Sequence, residues 1–292
     1  MSGALPIELV CEILRTTAEE WLLAHKPAVM NIILTSALGY GAATPVLYRT
    51  LYVHTGNQRL VLRVFDESES NASTGSCNAS AILRDPPARR LCPLIRRLFL
   101  NRNSDLKPED VKRLVRLERF MSYEDAFWSI DIFEALPLSV TYLALLQHTE
   151  FYHITPLMTH ISYPFSLGAN EREHILHGLL KSPSASAVTH IALDINESAA
   201  RRTGLDRLQS IVRAVLARDK IQMLSLHLFD AVLDLNSRPI FLEAMQQVVT
   251  TEEDRRRFAV WDDYRSVAHK ASVHIEDFVL GENAWTEGQP IS

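Results

Sequence analysis

Two patterns in this sequence combine residue types and spacings that could do chemistry. Gly39-Tyr40-Gly41-Ala42-Ala43-Thr44 follows the apolar run 31–38, and Asp66 lies about where a ribose-binding acid belongs after a dinucleotide fingerprint. In such a fingerprint the glycines let the backbone approach a pyrophosphate at the start of a helix. Thr44 stands where the third glycine is needed and Pro45 interrupts the helix that should follow, so a nucleotide-binding oxidoreductase ranks third among the readings. His174 and His177 sit three apart beside Glu171 and Glu173 on a helix-like stretch. Two imidazoles could face one way there, but the His-Glu-x-x-His order that sets a general base beside a zinc ligand is missing. His148, His153 and His160 are scattered over loop and strand-like segments with no cysteine nearby. There is no G-x-S-x-G elbow, Walker loop or paired-carboxylate motif. The reading is therefore of a protein that is not an enzyme, with no catalytic residue, metal or cofactor.

The three cysteines, Cys11, Cys77 and Cys92, leave an odd thiol however they pair, and none lies in a C-x-x-C spacing. That usage fits a reducing compartment. The longest mostly apolar stretch, 28–38, is about half a membrane span. The expectation is a soluble protein of the cytoplasm or nucleus with no membrane partner. A formal net charge of −5 supplies no global positive field for a phosphate backbone, so no nucleic-acid partner is expected. With 47% hydrophobic and 22% charged residues over 292, the chain has globular composition and length enough for two domains or one elongated array.

Stepping from residues to elements, the run 66–80, rich in Ser, Asn and acid, reads as an exposed mobile loop within a connecting segment 54–94. Before it, Leu5, Leu9, Ile13 and Leu14, then Val29, Ile32, Ile33 and Ala37, have helical spacing. After it a cassette recurs that ends in period-2 alternation: Ile95 to Leu100, Val140 to Leu145, Val188 to Leu193 and Ile221 to Leu226, with weaker copies at Leu117 and Met158. Helix-like stretches separate the cassettes at 108–116, 127–136, 171–181, 204–218 and 239–249, the clearest carrying Leu205, Leu208, Ile211, Val212, Val215 and Leu216 on one stripe. Strand alternating with helix admits a compact doubly wound sheet or a solenoid, and self-similar cassettes favour the solenoid. Their spacing and L-x-L ends describe a degenerate leucine-rich-repeat-like array over 95–292. Val267, Ala271, Ile275 and Phe278 predict an amphipathic helix within 261–285 that caps it.

The N-terminal residues carry a resemblance. Leu5-Pro6-Ile7-Glu8-Leu9-Val10-Cys11-Glu12-Ile13-Leu14 has the form L-P-x-E-L-x-x-E-I-L, and about 30 residues later stands Pro45-Val46-Leu47-Tyr48-Arg49-Thr50-Leu51-Tyr52-Val53. Together they resemble the F-box-like proteins abundant in fungi. The resemblance covers 1–53 and implies a helical module whose apolar residues dock on the adaptor subunit of an SCF-type cullin-RING ubiquitin ligase. By that implication Leu5, Pro6, Ile7, Leu9, Ile13 and Leu14 bind the adaptor. Read without it, Leu9, Ile13 and Leu14 could equally be the core face of an amphipathic helix.

The expected fold is thus α/β, a short N-terminal helical F-box-like module followed by a leucine-rich-repeat-like strand-helix solenoid. Its expected function is that of a substrate receptor, holding an unidentified target protein near the ubiquitin-conjugating enzyme, so that catalysis is by proximity. The alternative is an interaction scaffold of the same descent that no longer engages the ligase. Alternation turns Leu98, Leu100, Leu143, Leu145, Ile191, Leu193, Leu224 and Leu226 into the core. On the other face it sets Arg97, Phe99, Tyr142, Ala144, His190, Ala192, Met223, Ser225 and His227, with Arg119 and His160. From these, Arg97, Phe99, Arg119, Tyr142, His160, His190, Met223 and His227 are the predicted target-binding residues. Residues 84–119 carry 11 basic against 5 acidic side chains and the C-terminal part is acid-rich, so opposite ends could carry opposite potentials.

Overall fold

The computed structural model describes residues 5–24, 26–54, 56–62, 65, 91–100, 106–122, 129–145, 154–165, 183–195, 202–229, 237–263 and 289–290. His148, His153, His174, His177, Asp66, Cys77, the loop 66–80, the helix-like stretch 171–181 and residues 264–285 of the expected cap lie outside them.

Three helices open the chain: α1 (Ile7–Ala24), α2 (Lys26–Thr35) and α3 (Ala37–Tyr48). They share a small core of Ala18, Val29, Ile33, Ala43 and Val46. Ser36 caps α3, its hydroxyl accepting from the Gly39 amide at 2.9 Å. Gly39 is required at its position, because a Cβ there would lie 2.2 Å from the carbonyl oxygen of Ile32 on α2. Gly41, two residues on, faces open space. Both glycines of the candidate dinucleotide fingerprint, and Pro45, lie within α3, so the strand-to-helix turn that would cradle a pyrophosphate does not form there.

The described residues then form a sheet of nine strands whose order follows the sequence without reversal. The strands are β1 (Thr50–Val53), β2 (Arg97–Leu100), β3 (Arg119–Ser122), β4 (Tyr142–Leu145), β5 (His160–Phe165), β6 (His190–Ile195), β7 (Met223–Phe229), β8 (Phe258–Asp263) and β9 (Gln289–Pro290). Strands β1 to β8 are parallel and β9 adds antiparallel. Helices lie between strands as parallel pairing demands: α4 (Pro108–Lys112), α5 (Ser129–Glu134), α6 (Arg202–Leu216), and α7 (Ser237–Gln246) with α8 (Glu252–Arg257). The protein is mixed α/β.

Thr50–Val53, at the end of a stretch whose pattern reads as strand rather than helix, is the first strand of the sheet and pairs with β2. Phe258–Asp263 is a strand that no cassette marked, with Phe258, Ala259 and Val260 buried against β7, while the helix expected on Val267, Ala271, Ile275 and Phe278 lies outside the described residues. The aromatic and β-branched residues of this segment suit a pleated surface.

One register row explains the core. Leu51, Leu98, Phe120, Leu143, Ile161, Ile191, Leu224 and Phe258 stand side by side across β1 to β8, and all but the half-buried Leu51 are fully enclosed. On them pack the buried α6 stripe Leu205, Leu208, Ile211, Val212, Val215 and Leu216, with Phe241 and Met245 of α7. Of the eight predicted core leucines and isoleucines, seven are buried; the side chain of Leu145 lies outside the description.

Candidate functional site

Two surfaces collect the predicted site residues. The first is the outer side of α1. Ala18 turns inward, with Val10 and Leu14 half-buried, whereas Leu9 and Ile13, one turn apart, are 46% and 48% exposed, and Leu5, two residues before the helix, is 58% exposed. Ile7 is 60% exposed and Pro6 is exposed as well. A core role for Leu9 and Ile13 is therefore excluded. The helix forms because its other side packs on α3, and the outward apolar stripe has no cover among the described residues.

The second surface is the sheet face opposite the core. Register brings six predicted residues into one row that starts at Thr50: Arg97, Arg119, Tyr142, His160, His190 and Met223, on β2 to β7. At parallel-strand spacing the row from Thr50 spans roughly 29 Å. Its members interact in sequence. The Arg119 guanidinium carbon lies 5.4 Å from the centroid of the Tyr142 ring, a cation–π contact. Tyr142 stacks on His160 at 6.1 Å and 26°, and His160 on His190 at 4.2 Å and 15°. Phe99 belongs to the next row, stacked on Tyr52 at 4.8 Å, and His227 to a third, beside Asp194 and Trp261. The structure thus unites six of the eight predicted residues and sets two apart.

A feature that the sequence reading missed orients the imidazoles. The hydroxyls of Thr159 and Thr189 donate to the carbonyls of Thr141 and Thr159 at 3.2 and 3.4 Å. Each also lies 2.8 Å from Nδ1 of the next residue, His160 or His190. Whichever partner donates, the contact holds each ring in one orientation beside its threonine. The signal was present as the Thr-His dipeptide repeated at the start of two cassettes. Burial, then His190 and Arg119, push His160 down to about 4. His190 is lowered by burial. At neutral pH the pair is uncharged.

The expectation that this face stands open to solvent is corrected. Arg97, Phe99, Tyr142, Ala144, Ala192, Ser225 and His227 are buried, while Arg119, His160, His190 and Met223 are half-buried. Strands less than 5 Å apart press neighbouring side chains flank to flank, and Ala144, Ala192 and Ser225 are short beside the rings of the adjacent row. The half-buried residues are the part of the row that a partner could touch directly.

A cavity of about 260 Å³ lies beside β1, lined by Tyr48, Leu51, Leu60, Phe65, Cys92 and Ile95 among others. The Asn57 side chain, the main polar group in its wall, already donates to the Tyr52 carbonyl and accepts from the His54 amide. The Cys92 thiol is pushed up to about 11 by burial, which keeps it from acting as a nucleophile. Among the described residues no group of three His, Cys, Asp or Glu could hold a metal ion, and no helix is long and apolar enough to cross a membrane. Comparison of the chain with protein-family models, curated proteins and solved structures finds no match.

Proposed function

We propose that this chain is a substrate-receptor subunit of an SCF-type cullin-RING ubiquitin ligase, with α1 docking on the ligase adaptor and the sheet face holding a target protein. The observation that carries the reading is the exposed apolar pair Leu9 and Ile13 on α1, with Ile7 exposed at its start and Leu5 just before it, all from the L-P-x-E-L-x-x-E-I-L segment. Exposed apolar residues one turn apart on a helix are what a helix-packing partner reads. The parallel strands in chain order, with helices between them, support reading the sheet as a leucine-rich-repeat-like array, since each strand pairs with its neighbours in sequence. In this role the chain positions a target and performs no bond chemistry itself.

The test is co-purification of the full chain with the adaptor subunit, beside the double variant Leu9→Asp, Ile13→Asp. Both positions are exposed, so the variant should melt within a few degrees of the parent. Capture by the parent and its loss in the variant would uphold the reading. A folded parent that captures no adaptor would overturn it in favour of an interaction scaffold.

A further inference from the structure

The cavity beside β1 has no part in the receptor reading, and its walls say what could fill it. Protein interiors pack closely, with few voids larger than a water molecule, so a cavity of about 260 Å³ stands out. It lies where α3 ends and the sheet begins: Tyr48 of α3, Leu51 of β1, Val61 of the helical residues 58–62, and Cys92 and Ile95 ahead of β2 all line it. No charged side chain lines it, and Asn57 already commits its amide to the Tyr52 carbonyl at 2.6 Å and its oxygen to the His54 amide at 2.9 Å. A water molecule in such a space would lack the roughly two to four polar partners that hold one, whereas an apolar cavity takes an apolar guest. The cavity is partly open to solvent, and two of its lining residues, Tyr48 and Leu60, are 37% and 68% exposed. A guest therefore has a way in.

We infer that this cavity is a binding site for an uncharged, apolar small molecule of about ten carbon atoms. A dry cavity of about 150 Å³ holds benzene, so in proportion 260 Å³ takes a molecule the size of naphthalene. A charged guest is disfavoured, because no side chain of the walls could pair with it once its water is lost. An apolar one gives the wall atoms dispersion contacts on their open side. Because the walls belong to α3, β1 and the approach to β2, the guest would touch the helical module and the sheet together. The site does not depend on the receptor reading.

The test is equilibrium dialysis of the full chain against naphthalene, with naphthalene-2-sulfonate as the charged counterpart and Val61→Phe in parallel. The parent should bind a single naphthalene saturably and melt about 3 °C or more higher at about tenfold excess over the dissociation constant. The sulfonate should bind about tenfold or more weakly. Val61→Phe puts a ring into the space and should lose binding while melting within a few degrees of the parent. Maleimide labelling needs no variant: saturating naphthalene should slow modification of Cys92 several-fold and leave that of Cys11 on α1 unchanged. That measurement decides the matter should Val61→Phe fail to fold. No saturable binding by the parent, equal binding by a folded Val61→Phe, or no protection of Cys92 would overturn the site. Equal affinity for the sulfonate would overturn it as well, since the ring would then lie at the surface.

Discussion

The imidazole of His160 on β5 lies parallel to that of His190 on β6, with 4.2 Å between centroids and 15° between planes. Two rings so close cannot both charge without repulsion, and Arg119 adds its own positive field to His160. Each ring is held by the threonine before it, so neither can easily turn away.

This arrangement predicts acid sensitivity. His160 titrates near 4 in the folded chain against 6.5 for an exposed histidine, so between those values the unfolded chain binds more protons. Stability should be fully present above about pH 6.5, fall as pH drops toward 4, and gain no further contribution from this group below that. Among the described residues, His190, Tyr142, Arg119 and the Thr159 hydroxyl face it. Urea unfolding at stepped pH should show a shallower loss for His160→Gln than for the parent. Equal slopes would place the acid sensitivity elsewhere.

Gly39 and Gly41 should respond to alanine with opposite signs. A Cβ at Gly39 meets the Ile32 carbonyl at 2.2 Å, so α2 and α3 must move apart, at a cost of about 1–3 kcal/mol. At Gly41 nothing lies within 4 Å of the added carbon, and the gain in helix propensity is about 1 kcal/mol. Denaturant midpoints of the two single variants check this, and destabilisation by Gly41→Ala would contradict it.

The sequence carried the sheet further than the helices. Leu98, Leu143, Ile191 and Leu224 repeat the same place in four cassettes, and because side chains alternate strictly along a strand, their burial followed from position alone. Helix ends moved by a few residues: the stripe from Leu205 to Leu216 was plain, but α6 begins at Arg202. Strand β8 escaped because no L-x-L cassette marks Phe258–Asp263. At the site, residue types along the row were legible, while its register and burial were not, since both depend on how neighbouring strands stack. Arg97 illustrates this: the sequence puts it on the outer face, and only packing shows that it is enclosed.

Cysteine labelling offers a direct check of the helical module and first strands. Cys92 is buried with its thiol raised to about 11, whereas Cys11 is half-buried on α1. A maleimide at pH 7 should therefore modify Cys11 well before Cys92, because the thiolate is the reacting species. Full labelling of Cys92 should require denaturant. Peptide mass mapping over time reads both sites, and rapid native labelling of Cys92 would refute its enclosure.

Arg257 ties α8 to the end of α6 and sets a contrast with its neighbour. Its guanidinium donates to the Leu216 carbonyl at 3.0 Å and to those of Arg218 and Ile221 at 3.3 Å, and it pairs with Asp254 at 2.9 Å. These carbonyls close the end of α6 and the turn into β7, so one side chain of α8 holds the entry to the seventh strand. Arg257→Met keeps much of the stem but strands those acceptors, and should destabilise the chain by about 2–3 kcal/mol. Arg256, one residue earlier, pairs with Glu252 on an exposed surface, where an ion pair contributes little. Arg256→Met should therefore change the urea midpoint hardly at all. Equal effects from the two substitutions would mean that Arg257 acts through general helix propensity rather than by bridging α6 to β7.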